Sequence, residues 1–450
     1  MTDIADASLL SGYYFNHDID TIAKDLRGGR TTSVELVRHS LTAIDQLNPI
    51  LNAFTAVDAD ALAIARKADD DLASGHDRGP LHGIPVSVKD IVDIAGHVTT
   101  SGSAAYLTRR ADTDADCVQR LRAAGAVIVG KNVLHEFAYG ATGDRSVHGA
   151  SRNPWDANKI SGGSSGGGAV AVAAGMVPLA VGTDTAGSVR VPAALCGIVG
   201  FKPAFDAVST VGVHPLAASL DHVGVFARTV ADAALGYSVI ATHPPTGVTT
   251  PARVAWVDPT CISPTDPSVI ATSRDALDRA GITTPETVRL TFGAGELFSA
   301  FSTLQSSEAY AEHADILSRH CNDVDPEVIG RLERGRDLPA WQYVQATRDR
   351  DTLRAEIASL FGRFDVLALP TAPTVATDID QRAHVIDGQA VEVRSALLSL
   401  TCPWNLTGHP ALTVPAGMVN GLPVGLQLVG MPGRERQLFD LAHRIEHAHR

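Results

Sequence analysis

The stretch GGSSGGGAVAVAAGMVPLAVGTDTAGSVRVPAALCGIVGFKP, residues 162–203, decides how this chain is read. Five glycines and two serines fill the seven residues from Gly162 to Gly168. An apolar helix pattern follows, then the strand-like run PLAV, and LCGIVGFKP reads as a buried strand. Upstream, DCVQRLRAAGAVIVGKN has the same order of helix and then strand. GIPVSVKDIVDIAG is a short β-like run bounded by Gly and Pro. Downstream, FDVLALP and PVGLQLVG are apolar enough for central strands, and ERQLFDLAHRIEHAH closes the chain as a helix. Strands alternating with helices predict an α/β fold, a single large mixed β-sheet covered by α-helices on both faces.

Outward from this stretch the pattern is less regular. Residues 17–48 read as two helices, with Thr32 three before Glu35 as a capping box. Residues 57–74 read as another. The segment 243–267 is rich in proline and threonine and reads as a long connection or a lid. Helical patterns return at about 303–320 and 339–362. One sheet fed from both ends of the chain is expected, with the 243–345 region laid over it.

Composition removes several function classes. The formal net charge is −13, which argues against a general nucleic-acid binder. No run of 18 or more apolar residues is present, so no membrane span is expected. The N-terminal MTDIADASLLSGYY lacks the basic and apolar regions of a signal peptide. The five cysteines, Cys117, Cys196, Cys261, Cys321 and Cys402, are odd in number and widely spaced. They read as small buried hydrophobes in a reducing compartment, so a cytoplasmic location is expected.

Bare backbone around two hydroxyls admits several chemistries. A P-loop needs a lysine after its glycines, and none follows here. Gly162-Gly163-Ser164-Ser165-Gly166 matches the nucleophile elbow G-x-S-x-G, but NPWDANKIS before it reads as a loop, not a strand. His409 could complete such a triad, with His82-Gly83 as an oxyanion fragment, although a histidine before a proline is the plainer reading of His409. A glycine-rich helix start without chemistry also stands. Against it, Ser188 lies 24 residues on, after small residues Ala186 and Gly187 that let backbone N–H groups turn inward. Asp184 and Arg190 read as a salt bridge pinning that loop. Lys89 sits among Ile84, Val86, Val88, Ile91 and Val92, and only six lysines occur in the chain. Either it is desolvated and held neutral as a base, or it pairs with Asp90 or another carboxylate.

Together these segments resemble the amidase signature family. LHGIPVSVKD is similar to the family's lysine segment, SRNPWDANKISGGSSGG to its serine segment, and the D-x-x-G-S-x-R block with its G-F-K-P end to its nucleophile segment. ASLDHVGVFARTVADAA and HPALTVPAG with LPVGLQLVG resemble later family segments. The resemblance runs from about residue 20 to 447 and is weak only around 243–345. It implies a Ser–cis-Ser–Lys triad: Ser188 as nucleophile, Ser164 on a cis peptide bond as bridge, and Lys89 as base. It further implies an oxyanion hole from the N–H groups of Thr185, Ala186, Gly187 and Ser188, with Ser165 supporting the network.

By the same resemblance the chain is expected to be one amidase signature domain, residues 1–450. Its catalytic core falls at about 60–235 and 360–450, and 243–345 is a variable substrate-side region. No cofactor and no metal are expected. The expected partner is a small-molecule amide or carbamate, with no nucleic acid and no membrane; a homodimer is allowed for. FAYGAT would line the acyl side, with Tyr139, Gly140 and Ala141 as substrate-binding residues. Two departures bear on substrate preference. Ala186-Gly187 replaces a common Gly-Gly, as in some allophanate hydrolases and carbamate-acting members, which weakens the likeness to the glutaminyl-tRNA amidotransferases. Arg145 stands where a polar Asn is common. Hydrolysis of a small or aromatic amide is expected. The alternatives are carbamate, urethane or allophanate-like cleavage, and the role of the amidase component in a tRNA-dependent amidotransferase complex.

Overall fold

The computed structural model describes residues 9–243, 251–282 and 286–449. Eleven strands form one sheet. In chain order they are β1 Phe54–Val57, β2 Pro85–Lys89, β3 Val127–Asn132, β4 Leu179–Thr183, β5 Val199–Lys202, β6 Val223–Ala227, β7 Val254–Val257, β8 Glu286–Val288, β9 Val366–Pro370, β10 Ala411–Val419 and β11 Leu422–Val429. Across the sheet they lie in the order β1-β3-β2-β4-β6-β5-β10-β11-β9-β7-β8.

The sheet is mixed. Strands β3, β2 and β4 are parallel neighbours, as are β9, β7 and β8. Antiparallel pairs join β4 through β6, β5, β10 and β11 to β9. Parallel neighbours need a crossover rather than a tight turn. The helices Asp116–Ala123 and Gly166–Ala173 provide it before β3 and β4. Every residue of β2, β3, β4, β5, β6 and β9 is buried, as expected of strands covered on both faces. The predicted capping box forms at the helix Ser33–Leu51: Glu35 N–H donates to Thr32 Oγ1, and Thr32 N–H to the Glu35 carboxylate.

Two expectations change. The 243–345 region does more than lie over the sheet, because β7 and β8 fall within it and extend one edge. The four-residue run VAWV is short and embedded in proline- and threonine-rich sequence, which hid it. Of the connection or lid expected at 243–267, residues 244–250 lie outside the described residues. The lead-in NPWDANKIS is not all loop: Asp156–Ile160 pairs with Arg152–Asn153 in a small hairpin that delivers the chain to the glycine-rich run. Among the described residues no helix is long and apolar enough to cross a membrane.

Candidate active site

Strand β2 ends at Lys89, and the apolar alternation that made the strand also drives this lysine inward, where it is buried. It does not pair with Asp90. That carboxylate takes Lys131 Nζ at 2.9 Å. Lys89 Nζ instead donates to Ser164 Oγ at 2.7 Å and to Thr183 Oγ1 at 2.6 Å. Burial pushes its pKa down to about 7, against the opposing charges of Asp221 and Asp184.

Ser164 is buried and follows a cis peptide bond from Gly163. The glycine is required there by close approach. A Cβ on Gly163 would sit 2.7 Å from Gly143 N and 2.9 Å from Gly140 O, and its N–H donates to Ala141 O at 2.6 Å. Ser165 ties the loop to the end of β4: its hydroxyl donates to Thr183 O at 3.0 Å and accepts from Thr183 N–H at 3.2 Å. Ser165 N–H donates to Ser188 O at 3.2 Å, so the two serine segments are joined through the backbone. Among the described residues no hydrogen bond joins the Ser164 and Ser188 hydroxyls.

The turn between β4 and the helix Arg190–Cys196 carries Ser188. Asp184 N–H donates to His222 O at 2.8 Å, and Val191 N–H to Gly187 O at 2.7 Å. Between them the N–H groups of Thr185, Ala186, Gly187 and Ser188 donate to no acceptor among the described residues. Four successive free donors beside a serine can receive a developing oxyanion. Gly187 has φ +142°, and a Cβ there would lie 2.3 Å from Thr401 Oγ1. That hydroxyl in turn donates to Ala186 O at 2.5 Å.

The expected salt bridge pins this turn. Arg190 and Asp184 are fully buried and bidentate, at 2.9 and 2.8 Å. The remaining guanidinium donors reach Thr401 O, Gln427 Oε1 and Asn405 Oδ1. Arg190 and its partners hold the Asp184 carboxyl well below the usual range despite burial.

A cavity of about 230 Å³ opens beside the turn, bounded by Ala138, Thr183, Thr185, His214, Asp221 and His222 among others. Thr185 Oγ1 donates to Asp221 Oδ1 at 2.6 Å. The other Asp221 oxygen accepts from Leu216 and Ala217 N–H at 2.9 and 3.0 Å. Burial pushes Asp221 up to about 6, with these donors pulling against it. Tyr139 is buried, with its hydroxyl 3.0 Å from Ser306 Oγ. Gly140 and Ala141 back the Gly163–Ser164 peptide, and Ala138 is the member of FAYGAT that reaches this cavity wall.

The elbow alternative fails on geometry. Ser164 contacts a lysine, while His409 stacks on Phe361 and its carbonyl accepts from Lys202. His82 is bonded to Ala68 O. Arg145 pairs with Asp380 and Glu327. Sequence reasoning missed Thr183, Asp221 and Thr401. Thr183 stood at the end of a predicted strand pointing at the turn; the other two were invisible because their contacts span 36 and 215 residues.

Such a fold and such a buried lysine–serine pair define an α/β enzyme class, and the sequence matches the Amidase family over residues 35–439. This chain belongs to the amidase signature family. It is 36% identical to the amidase component of the glutamyl-tRNA(Gln) amidotransferase of Chloroflexus aurantiacus, over 92% of this chain and 93% of the relative. It is 34% identical to AtzE, a component of the 1-carboxybiuret hydrolase of a Pseudomonas species, over 92% and 94%. A crystal structure of an amidase superposes with TM-score 0.90 at 32% identity, covering 96% of this chain and 99% of that one. Ala186 therefore does not remove the chain from the neighbourhood of the amidotransferases, because the likeness is spread over nearly the whole sequence.

Proposed function

We propose that this protein hydrolyses the carbon–nitrogen bond of a small amide through an acyl-enzyme on Ser188. The observation that carries this reading is the buried Lys89 on Ser164 Oγ at 2.7 Å, unpaired with any carboxylate, beside a turn with four free N–H donors. A serine hydroxyl is a poor nucleophile until a base takes its proton. Lysine serves only when neutral, and burial supplies that condition. Ser188 Oγ attacks the carbonyl carbon and passes its proton to Ser164, which passes its own to Lys89. The carbonyl oxygen, now negative, lies against the N–H groups of Thr185 to Ser188. The C–N bond breaks as the proton returns through Ser164 to the amine. Water, deprotonated along the same relay, then releases the acid and frees Ser188.

A carbamate, urethane or allophanate-like carbonyl fits the same steps, and the relative named for 1-carboxybiuret supports that second substrate group. The amidotransferase reading is supported by the identity to the Chloroflexus relative, and it would have the chain work within a complex. Location in the cytoplasm suits the free cysteines, three of them buried.

Purified protein assayed with amides, anilides, carbamates, allophanate and glutamine tests the reading. Hydrolysis by the chain alone, abolished in Ser188→Ala, supports it. Activity on glutamine that appears only with partner proteins would instead favour the amidotransferase.

A further inference from the structure

Three arginines are buried among the described residues: Arg190, Arg331 and Arg394. Arg190 is neutralised by Asp184. Arg331 is paired with Glu327 and donates to Tyr139 O at 2.6 Å. Arg394 has no such partner. It is 7% exposed, and its one hydrogen bond among the described residues runs from Nη2 to the neutral Gln305 Oε1 at 3.0 Å. Its Nε has none. Glu392, two residues away, is engaged as the cap of the helix Val393–Ser399, accepting from Ser395.

The guanidinium lies 5.5 Å from the centre of the Tyr139 ring. A cation–π contact at that range returns less than the cost of burying an unpaired charge. Such a group calls for an anion. Its place in the fold says which. Tyr139 is two residues from Ala141, whose carbonyl accepts from Gly163 beside Ser164. Past the other end of the arginine's helix, Thr401 holds Ala186 O next to Ser188. Arg394 is thus carried between the two serine segments. A planar, permanently charged fork is suited to a carboxylate.

We propose that Arg394 is a specificity-determining residue that pairs with a carboxylate on the substrate, so that the preferred substrates are amides bearing a free carboxylate. This rests on the hydrolase reading above. The test compares succinamate, glutaramate and adipamate with uncharged alkyl amides of matching length, in wild type, Arg394→Met and Arg394→Lys. At least one acid should be cleaved with kcat/KM tenfold or more above its neutral counterpart. That ratio should collapse toward one in Arg394→Met, mainly through KM, and be partly kept in Arg394→Lys. Unchanged melting and unchanged labelling of the nucleophile by a small fluorophosphonate exclude misfolding.

Calorimetric binding of the same acids to Ser188→Ala separates the two claims. Binding that depends on Arg394 without turnover in wild type would sink the hydrolase reading and leave the anion site. Equal kcat/KM for acids and neutral amides, or equal loss of both in Arg394→Met, would overturn the proposal.

Discussion

Lys89 Nζ and Ser164 Oγ are 2.7 Å apart, in a place where neither touches a carboxylate. Thr183 Oγ1 occupies a second donor of the amine at 2.6 Å. A lysine held only by hydroxyls is cheap to deprotonate, and every prediction below starts from that contact.

The pH profile should show it. With Lys89 near 7, kcat/KM for an amide should rise roughly tenfold per pH unit below about 7 and level off above. Asp221 is the larger of the two charges that favour the protonated amine, so Asp221→Asn should move the rise to lower pH. A rise unmoved by that substitution would argue against Lys89 as the titrating group.

Lys89 also costs stability. Its folded pKa lies below its unfolded value near 10.5, so the unfolded chain binds more protons between about 7 and 10.5. Stability should therefore increase with pH across that window. The burden at neutral pH is on the order of 4 kcal/mol. Lys89→Met should raise the melting midpoint at pH 7 while abolishing turnover, as scanning calorimetry and an amide assay would show.

Thr183→Val removes one acceptor of the amine and keeps the strand. The expected result is a fall in kcat of ten- to a hundredfold with KM little changed, because the hydroxyl orients the base without a role in binding. A change confined to KM would contradict this.

Gly187→Ala places a methyl where Thr401 Oγ1 stands 2.3 Å away, at φ +142°. The turn must shift, and with it the free N–H donors. Activity should drop by two orders of magnitude or more, while circular dichroism stays that of the wild type.

Arg190→Met leaves Asp184 charged and fully buried. Breaking such a pair from one side destabilises by about 3–5 kcal/mol. Urea unfolding should show a midpoint lowered accordingly, in contrast to the stabilised Lys89→Met.

Much of this was legible in the sequence because it was local. Periodicity marked β2, β3, β4, β9 and the closing helix, and glycines marked the two loops where backbone packs against backbone. Lys89 stood out as a rare lysine in an apolar run, yet its neighbours left open whether Asp90 would take it. Only the fold decides that, by bringing Lys131 to Asp90. Asp221 reaches Thr185 across 36 residues, and Arg394 reaches Gln305 across 89. No spacing rule announces such contacts, since they are made by strand order rather than by sequence. The short strand β7 was missed because four apolar residues between prolines and threonines carry too little periodicity to register.

The central claim is that Ser188 attacks and Ser164 relays. Peptide mapping by mass spectrometry after reaction with a fluorophosphonate tests it most directly. The account predicts one adduct, on Ser188, lost in Ser188→Ala and formed far more slowly in Lys89→Ala. An adduct on Ser164, or labelling that survives in Ser188→Ala at the wild-type rate, would contradict it.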